Sequence, residues 1–269
     1  MTGGERRRRL VRRPPPALGI ALGTVGLAFF VVPLLGLLER APWSDFWELL
    51  TDETVLEALR LSLICSLSAT ALSIVFGVPL AWILARSEFP GRRLARALVV
   101  LPMVLPPVVG GVALLFALGR RGLVGQHLYE WFDIQLPFST WGAILAETFV
   151  AMPFLVITVE AALRGVDRRY EDAAATLGAG RWTVFRRVTL PLIAPSLIAG
   201  TALAWARALG EFGATITFAG NFPGRTQTIP LAVFVALESN PGAAIVMSLI
   251  LLLVSIVVLV ALRDQWLAG

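Results

Sequence analysis

Apolar runs of membrane length, set apart by short charged segments, dominate this chain of 269 residues. A helix needs roughly 20 apolar residues to cross a bilayer. The runs predict six crossing helices, at 17–38, 55–85, 95–118, 139–162, 192–218 and 242–262. Sustained period-two alternation is missing, so a membrane β-barrel is not expected. The second run is longer than a crossing requires and is expected to begin outside the membrane. Residues 101–107, LPMVLPP, interrupt the third run. Their prolines remove donors and clash with the preceding turn, so a kink or a late helix start is expected there. An ordinary helix boundary and a functional break are both open readings. The first run follows RRRRLVRRPPP. Its length, and the lack of a clear small-x-small site after it, favour an uncleaved span over a signal peptide.

Composition agrees with the pattern: 57% of residues are hydrophobic and 15% charged, with a mean hydropathy of +0.78. A soluble domain carries about 25% charged residues. The expected fold is all-α and integral to the membrane, with six transmembrane helices and a cytoplasmic helix between helices 4 and 5. Residues 1–16 form a basic cytoplasmic tail, 17–262 the transmembrane domain and 263–269 a second cytoplasmic tail.

All 23 basic residues are Arg, and the net charge is +5. They cluster beside the apolar runs, as topology determinants do. With the N-terminus inside, the inner segments hold 17 of them, among them Arg6, Arg86, Arg164, Arg181 and Arg263. The outer segments hold four: Arg40, Arg120, Arg121 and Arg225. This bias predicts a multi-pass inner-membrane protein with both termini cytoplasmic and residues 163–191 inside. The outer segments, 39–54, 119–138 and 219–241, carry Trp43, Trp47, Tyr129, Trp131 and Phe222, suited to the membrane interface, and none resembles an extra folded domain. No aromatic–basic interleaving suggests a nucleic-acid partner. Cys65 and His127 are each the only residue of their kind, which leaves no thiolate set for a metal and no convergent catalytic partners. Neither GxGxxG nor a GKS/T loop is present, so any ATP chemistry belongs to a partner.

The inner segment 171–192, EDAAATLGAGRWTVFRRVTLPL, is charged and rich in Ala and Gly. Glu171 and Asp172 lie near a helix start, where the macrodipole favours negative charge. Ala174 and Gly178, at i and i+4 with Ala175 beside them, would form a small, smooth strip on a helix. Arg181, Arg186 and Arg187 are able to pair with acidic groups or lipid phosphates. Pro191 suits the first turn of the fifth span. By composition alone the segment reads as an ordinary positive-inside loop with caps.

Within the spans, Arg207 and Glu211 stand at i and i+4 and should face each other. Charges at this depth pair or line water. The pair reads either as lining of a translocation path or as a structural ion pair; a tight anion site would trap substrate, which weighs toward the second. Gly210 and Gly213 allow close helix approach. Glu147 is mid-span, and Arg60 is placed to snorkel. Thr215 and Thr217 bond their own helix or present hydroxyls to a pore. The turn Asn221-Phe222-Pro223-Gly224 either touches a substrate-delivering protein or is only a turn.

Spacing adds a further reading. Asp172-Ala173-Ala174, three residues, Gly178, nine residues, then Val188-Thr189-Leu190-Pro191 resembles the "EAA" signature of permease subunits of ABC importers. Asp172 stands where that family has Glu, with Glu171 adjacent, and Val188 replaces Ile. The stretch ARALGEFGATITFAGNFPGRTQTIPLAVF (206–234) is similar to the molybdate branch, as is LPFSTWGAILAETFVAMPFL (136–155). The resemblance covers about residues 55–262. It implies that Glu171, Asp172, Ala173, Ala174, Gly178, Leu190 and Pro191 belong to a coupling helix docking on an ATP-binding subunit. It implies no enzyme activity in this chain and no cofactor bound by it, with ATP and Mg on the partner. The implied partners are two cassette subunits, a substrate-binding protein, a second copy of the permease and the bilayer. Arg207, Glu211, Thr215 and Thr217 become path candidates. Sulfate, thiosulfate and tungstate remain alternatives to molybdate. A secondary transporter relaying ions through Glu147 or Arg207/Glu211 is a rival, and a membrane enzyme a more distant one.

Overall fold

The computed structural model describes residues 17–266. The basic tail at 1–16, with Arg6 to Arg13, and residues 267–269 lie outside the described residues. The chain divides into two units, 1–41 and 42–269.

The first unit holds helix α1 (Ala17–Glu39), none of whose residues is buried within the protein. Leu18, Phe29 and Phe30 are each at least 71% exposed. A helix of this length that is apolar on every side is suited to a lipid environment.

The second unit contains α2 (Phe46–Leu50), α3 (Glu53–Arg86), α4 (Arg92–Val104), α5 (Pro107–Leu118), α6 (Gly125–Phe132), α7 (Thr140–Gly165), α8 (Arg169–Thr176), α9 (Arg181–Leu209), α10 (Gly213–Phe218), α11 (Ile229–Ser239) and α12 (Pro241–Trp266). Every described element is helical. Helices α1, α3, α7, α9 and α12 are long and apolar enough to cross a membrane. α7 is the centre. Its Ala151, Leu155, Val156, Val159 and Leu163 are fully buried against α3 (Ala69, Ala81, Leu84) and α9 (Ile193, Ala204, Ala208). Lipid tails are as apolar as leucine, so helix association depends on close packing through small residues. A Cβ added to Gly77 on α3 would lie 3.2 Å from Met152 and Val156, so the two helices approach closely there. Gly200 on α9 approaches Thr158 and Leu155 in the same way. Polar side chains add to this: Trp205 Nε1 donates to Ser66 Oγ at 3.1 Å, tying α9 to α3.

Two expected spans are organised differently. The run at 95–118 is two helices, α4 and α5, because the chain turns extended at Leu105 and Pro106, with ψ of 138° and 131°. The residue before a proline is driven from the α region, and Pro107 then begins the new helix. The fifth run starts at Arg181 rather than 192, and it breaks at Gly210 before resuming as α10. Helix α9 thus includes charged residues that lie ahead of its apolar part. Pro191 falls in the first turn of the α-helical part that begins at Leu190, which continues from the π-helical turn before it. A π-helical turn, Phe185–Thr189, ends two residues before Pro191, and another, Ser73–Gly77, ends two residues before Pro79. A proline lacks the N–H and crowds the carbonyl four residues back, and a widened turn relieves that crowding.

The segment 219–241 is not wholly loop. Its run from Ile229 folds as α11, with Ile229 and Ala232 packed on Val55 and Ala58 of α3 and Ala243 and Met247 of α12. Helix α12 continues to Trp266, beyond the expected boundary at 262.

Candidate functional site

The segment that connects α7 to α9 forms its own short helix, and its end is dictated by Gly178. The Gly178 N–H donates to Ala175 O at 3.0 Å, and the Ala179 N–H donates to Ala174 O at 3.1 Å. These two bonds close a Schellman-type stop, which needs a left-handed residue just past the helix. Gly178 fills that position with φ of +84°. The smooth strip expected from Ala174 and Gly178 on one helix is therefore corrected: α8 stops at Thr176 and Gly178 lies beyond it. The i, i+4 spacing reports a backbone requirement here. The helix itself presents Asp172 and Ala173 as exposed residues, with Ala174 half-buried.

Glu171 anchors α8. Its Oε1 receives the Arg86 guanidinium at 3.0 Å and the Thr189 hydroxyl at 2.8 Å. Arg86 is the last residue of α3, and Thr189 belongs to the π-helical turn of α9. The ion pair is well covered, with side-chain exposures of 10% and 17%. One carboxylate therefore joins three elements, and a charge-assisted hydrogen bond of this kind is about twice as strong as a neutral one. Leu190 is half-buried and Pro191 exposed on the turn that follows Thr189.

A second cluster stiffens the same end of the bundle. Buried Glu160 on α7 meets Arg164 at 2.7 Å and Arg96 of α4 at 3.0 Å. Arg92 Nε donates to Leu84 O at 2.9 Å. Arg86, Arg92, Arg96 and Arg164 thus brace α3, α4, α7 and α8 together, roles that charge counting alone assigned only to topology.

The path candidates lie elsewhere, at the break between α9 and α10. Arg207 and Glu211 form the expected ion pair, Nη1 to Oε2 at 2.5 Å. Glu211 is buried, whereas the Arg207 side chain is 28% exposed. Glu211 has a further duty: its Oε1 accepts from the Ala214 N–H at 2.8 Å, satisfying an orphan donor at the start of α10. Buried Glu147 on α7 is an electrostatic neighbour of Glu211. Thr217 bonds its own helix, Oγ1 to Gly213 O at 2.7 Å, while Thr215 is buried without a partner for its hydroxyl. Gly213 does bring two helices together, since a Cβ there would lie 2.9 Å from Pro107 Cβ on α5. Gly210 does not; only Ala206 O of its own helix lies near.

The turn at 221–224 is built into the protein. The Phe222 carbonyl accepts from the amides of Arg225, Thr226 and Gln227, and the Phe222 ring packs edge-on against Phe138. Buried Thr226, Gln227 and Thr228 lead into α11, whose Ile229 N–H donates to Ser62 Oγ at 2.7 Å. His127 stacks on Trp131 within α6, and Cys65 is sealed in the core.

Membrane-length helices packed through small residues, with a short connecting helix pinned to two of them by a partly buried carboxylate, define a multi-pass membrane protein with a braced connecting element. Residues 77–267 match the family of binding-protein-dependent transport system inner membrane components, and the chain belongs to that family. It is a permease component and not an enzyme, and it resides in the inner membrane as a multi-pass protein. The molybdenum transport system permease protein ModB of Mycobacterium tuberculosis is 47% identical over 233 residues, covering 87% of this chain and 88% of that protein. The sulfate transport system permease protein CysT of Escherichia coli is 39% identical over 248 residues, covering 89% of each. Among solved structures, a bacterial ABC transporter for the acidic polysaccharide alginate has the same fold. Its TM-score is 0.68 at 19% identity, over 92% of this chain and 93% of that one. The resemblance to ABC importer permeases, and within them to the molybdate branch, is the one these comparisons show.

Proposed function

We propose that this chain is the transmembrane subunit of an ATP-driven importer that carries molybdate inward. Two copies form a closed pair around one path, because the helices of a single chain do not enclose a gated pore and twofold symmetry is the commonest closed arrangement. A binding protein delivers the oxyanion to the outer face. Two cassette subunits bind ATP and Mg, and this chain binds no cofactor. Both termini and α8 are cytoplasmic, and α4 with α5 supply the sixth crossing. Residues 17–262 are the transmembrane domain between cytoplasmic tails at 1–16 and 263–269. Helix α8 is the coupling helix: Asp172, Ala173 and Ala174 face the cassette, while Glu171 passes the movement to α3 and α9. Leu190 and Pro191 follow the moving turn. Arg207 and Glu211 hold the α9–α10 break beside the path, with Thr215 and Thr217 next to it.

The observation that carries the substrate is the 47% identity with a molybdenum permease over 87% of the chain. Sulfate is the second reading, favoured by the 39% identity with a sulfate permease. Reconstitution in liposomes with the cassette and binding proteins tests both. ATP-dependent uptake of molybdate, resisting excess sulfate, is expected. Uptake of either anion without a cassette subunit would overturn the mechanism, and preference for sulfate would overturn the substrate.

A further inference from the structure

One surface groove has no place in the coupling or path assignments. It lies between α3 and α9, has a volume of about 510 Å³, and is walled by Pro79, Trp82, Ile83, Trp182 and Phe185. Its aromatic floor is ordered: Phe185 packs edge-on to Trp82 at 5.2 Å and stacks on Trp182 at 5.6 Å. Trp182 is 70% exposed and Ile83 46% exposed. Arg181, the first residue of α9, also lines the groove and is exposed. No carboxylate pairs with it among the described residues.

The α3 wall, Pro79, Trp82 and Ile83, belongs to a membrane-length apolar helix, whereas Trp182 and Phe185 lie just ahead of the apolar part of α9, so the groove sits at a boundary between apolar and charged surface. Arg181 marks its charged end, before the apolar part of α9 begins. An apolar slot bearing one unpaired guanidinium complements a molecule with a hydrocarbon body and an anionic head. Indole rings favour the same boundary, where one side is apolar and the other wet.

We propose that this groove is a binding site for an acidic phospholipid, with an acyl chain along Pro79, Ile83 and Trp182 and the headgroup phosphate on Arg181. Charge complementarity selects an acidic lipid over a zwitterionic one, because a net negative headgroup leaves the guanidinium no competing cation.

Native mass spectrometry of the full-length protein, extracted in mild detergent and exposed to equal phosphatidylglycerol and phosphatidylcholine, tests the proposal. Wild type should retain phosphatidylglycerol at least five-fold over phosphatidylcholine. Arg181→Gln should abolish that preference and Arg181→Lys should keep most of it. Trp182→Ala should lower retention of both lipids. Arg187→Gln, which removes an exposed charge from the same helix outside the groove, should change nothing. Equal retention of the two lipids by wild type would overturn the site. So would an Arg187→Gln loss as large as that of Arg181→Gln, which marks general surface attraction. Cross-linking of Trp182→Cys to another protein segment or a second copy in native membranes would also overturn it, since protein would then fill the groove.

Discussion

Arg86 and Glu171 meet at 3.0 Å across 85 residues of sequence, fastening the end of α3 to the short helix α8. The Thr189 hydroxyl donates to the same carboxylate oxygen. Glu171 therefore links α8 to α3 through an ion pair and to α9 through a hydroxyl, independently of the connecting loops.

If this contact transmits motion, removing either end should uncouple ATP hydrolysis from transport while the protein still inserts. Removing one member of a buried pair costs about 3–5 kcal/mol, because the other is left uncompensated. The partial exposure here brings the expected loss to about 1–3 kcal/mol. Glu171→Ala should be more damaging than Arg86→Ala together with Glu171→Ala. A double-mutant cycle on thermal unfolding, with transport and ATPase rates measured alongside, checks this. Strictly additive effects would show that the pair transmits nothing.

Gly178 offers a test that separates backbone from surface. An L-residue in the left-handed region costs roughly 1–2 kcal/mol, and Asn bears it better than Ala. Space is not the constraint within the chain, for nothing lies within 4 Å of a Cβ there. Coupled transport should therefore fall in the order Gly, Asn, Ala, Val, with insertion unchanged. A requirement for a small docking face would instead rank Ala above the larger Asn.

Much of the architecture is legible in the sequence because the bilayer selects on composition. The apolar runs mark α1, α3, α7 and α12 closely, and the prolines at 102, 106 and 107 announce the break that splits α4 from α5. Helix α11 was hidden because an 11-residue apolar run is too short to cross. The early start of α9 was hidden because its arginines look like loop, although a helix does not stop where lipid does. The i, i+4 spacing of Ala174 and Gly178 suggested a surface, since spacing carries no information about φ. Arg207 and Glu211 could be paired from sequence because they share one helical turn. Arg86 and Glu171 could not, because their contact exists only once α3 and α8 are brought together.

The contact between α5 and α10 leaves no room for a methyl group. A Cβ on Gly111 would lie 2.7 Å from Thr217 Cβ and 2.8 Å from Ala214 O, a backbone atom that cannot swing aside. Its neighbour Gly110 meets only the Phe149 ring, at 3.1 Å. Overpacking costs about 1–3 kcal/mol where the surroundings are rigid. Gly111→Ala should lower thermal stability in detergent by that amount, and Gly110→Ala by clearly less. Equal effects would mean that α10 shifts freely on α5.

Arg207 and Glu211 pose the remaining question, whether the pair holds the α9–α10 break or greets the passing anion. Glu211 satisfies two groups at once, the Arg207 guanidinium and the Ala214 amide. Glu211→Gln keeps an acceptor for the amide and loses only the charge, whereas Glu211→Ala loses both. A structural pair therefore predicts greater instability for Glu211→Ala than for Glu211→Gln. Leaving the buried carboxylate alone in Arg207→Ala should cost about 3 kcal/mol or more. Combining Arg207→Ala with Glu211→Ala should recover part of that loss, giving a coupling of about 0.5–3 kcal/mol. An anion-greeting role predicts otherwise: Arg207→Gln would leave unfolding unchanged and lower transport, with Arg207→Lys restoring it. Glu211 is buried, with Oε1 bonded to the Ala214 amide and Oε2 in the ion pair with Arg207, so the stability outcome is expected. Thermal unfolding and molybdate uptake on the same set of variants decide between the two.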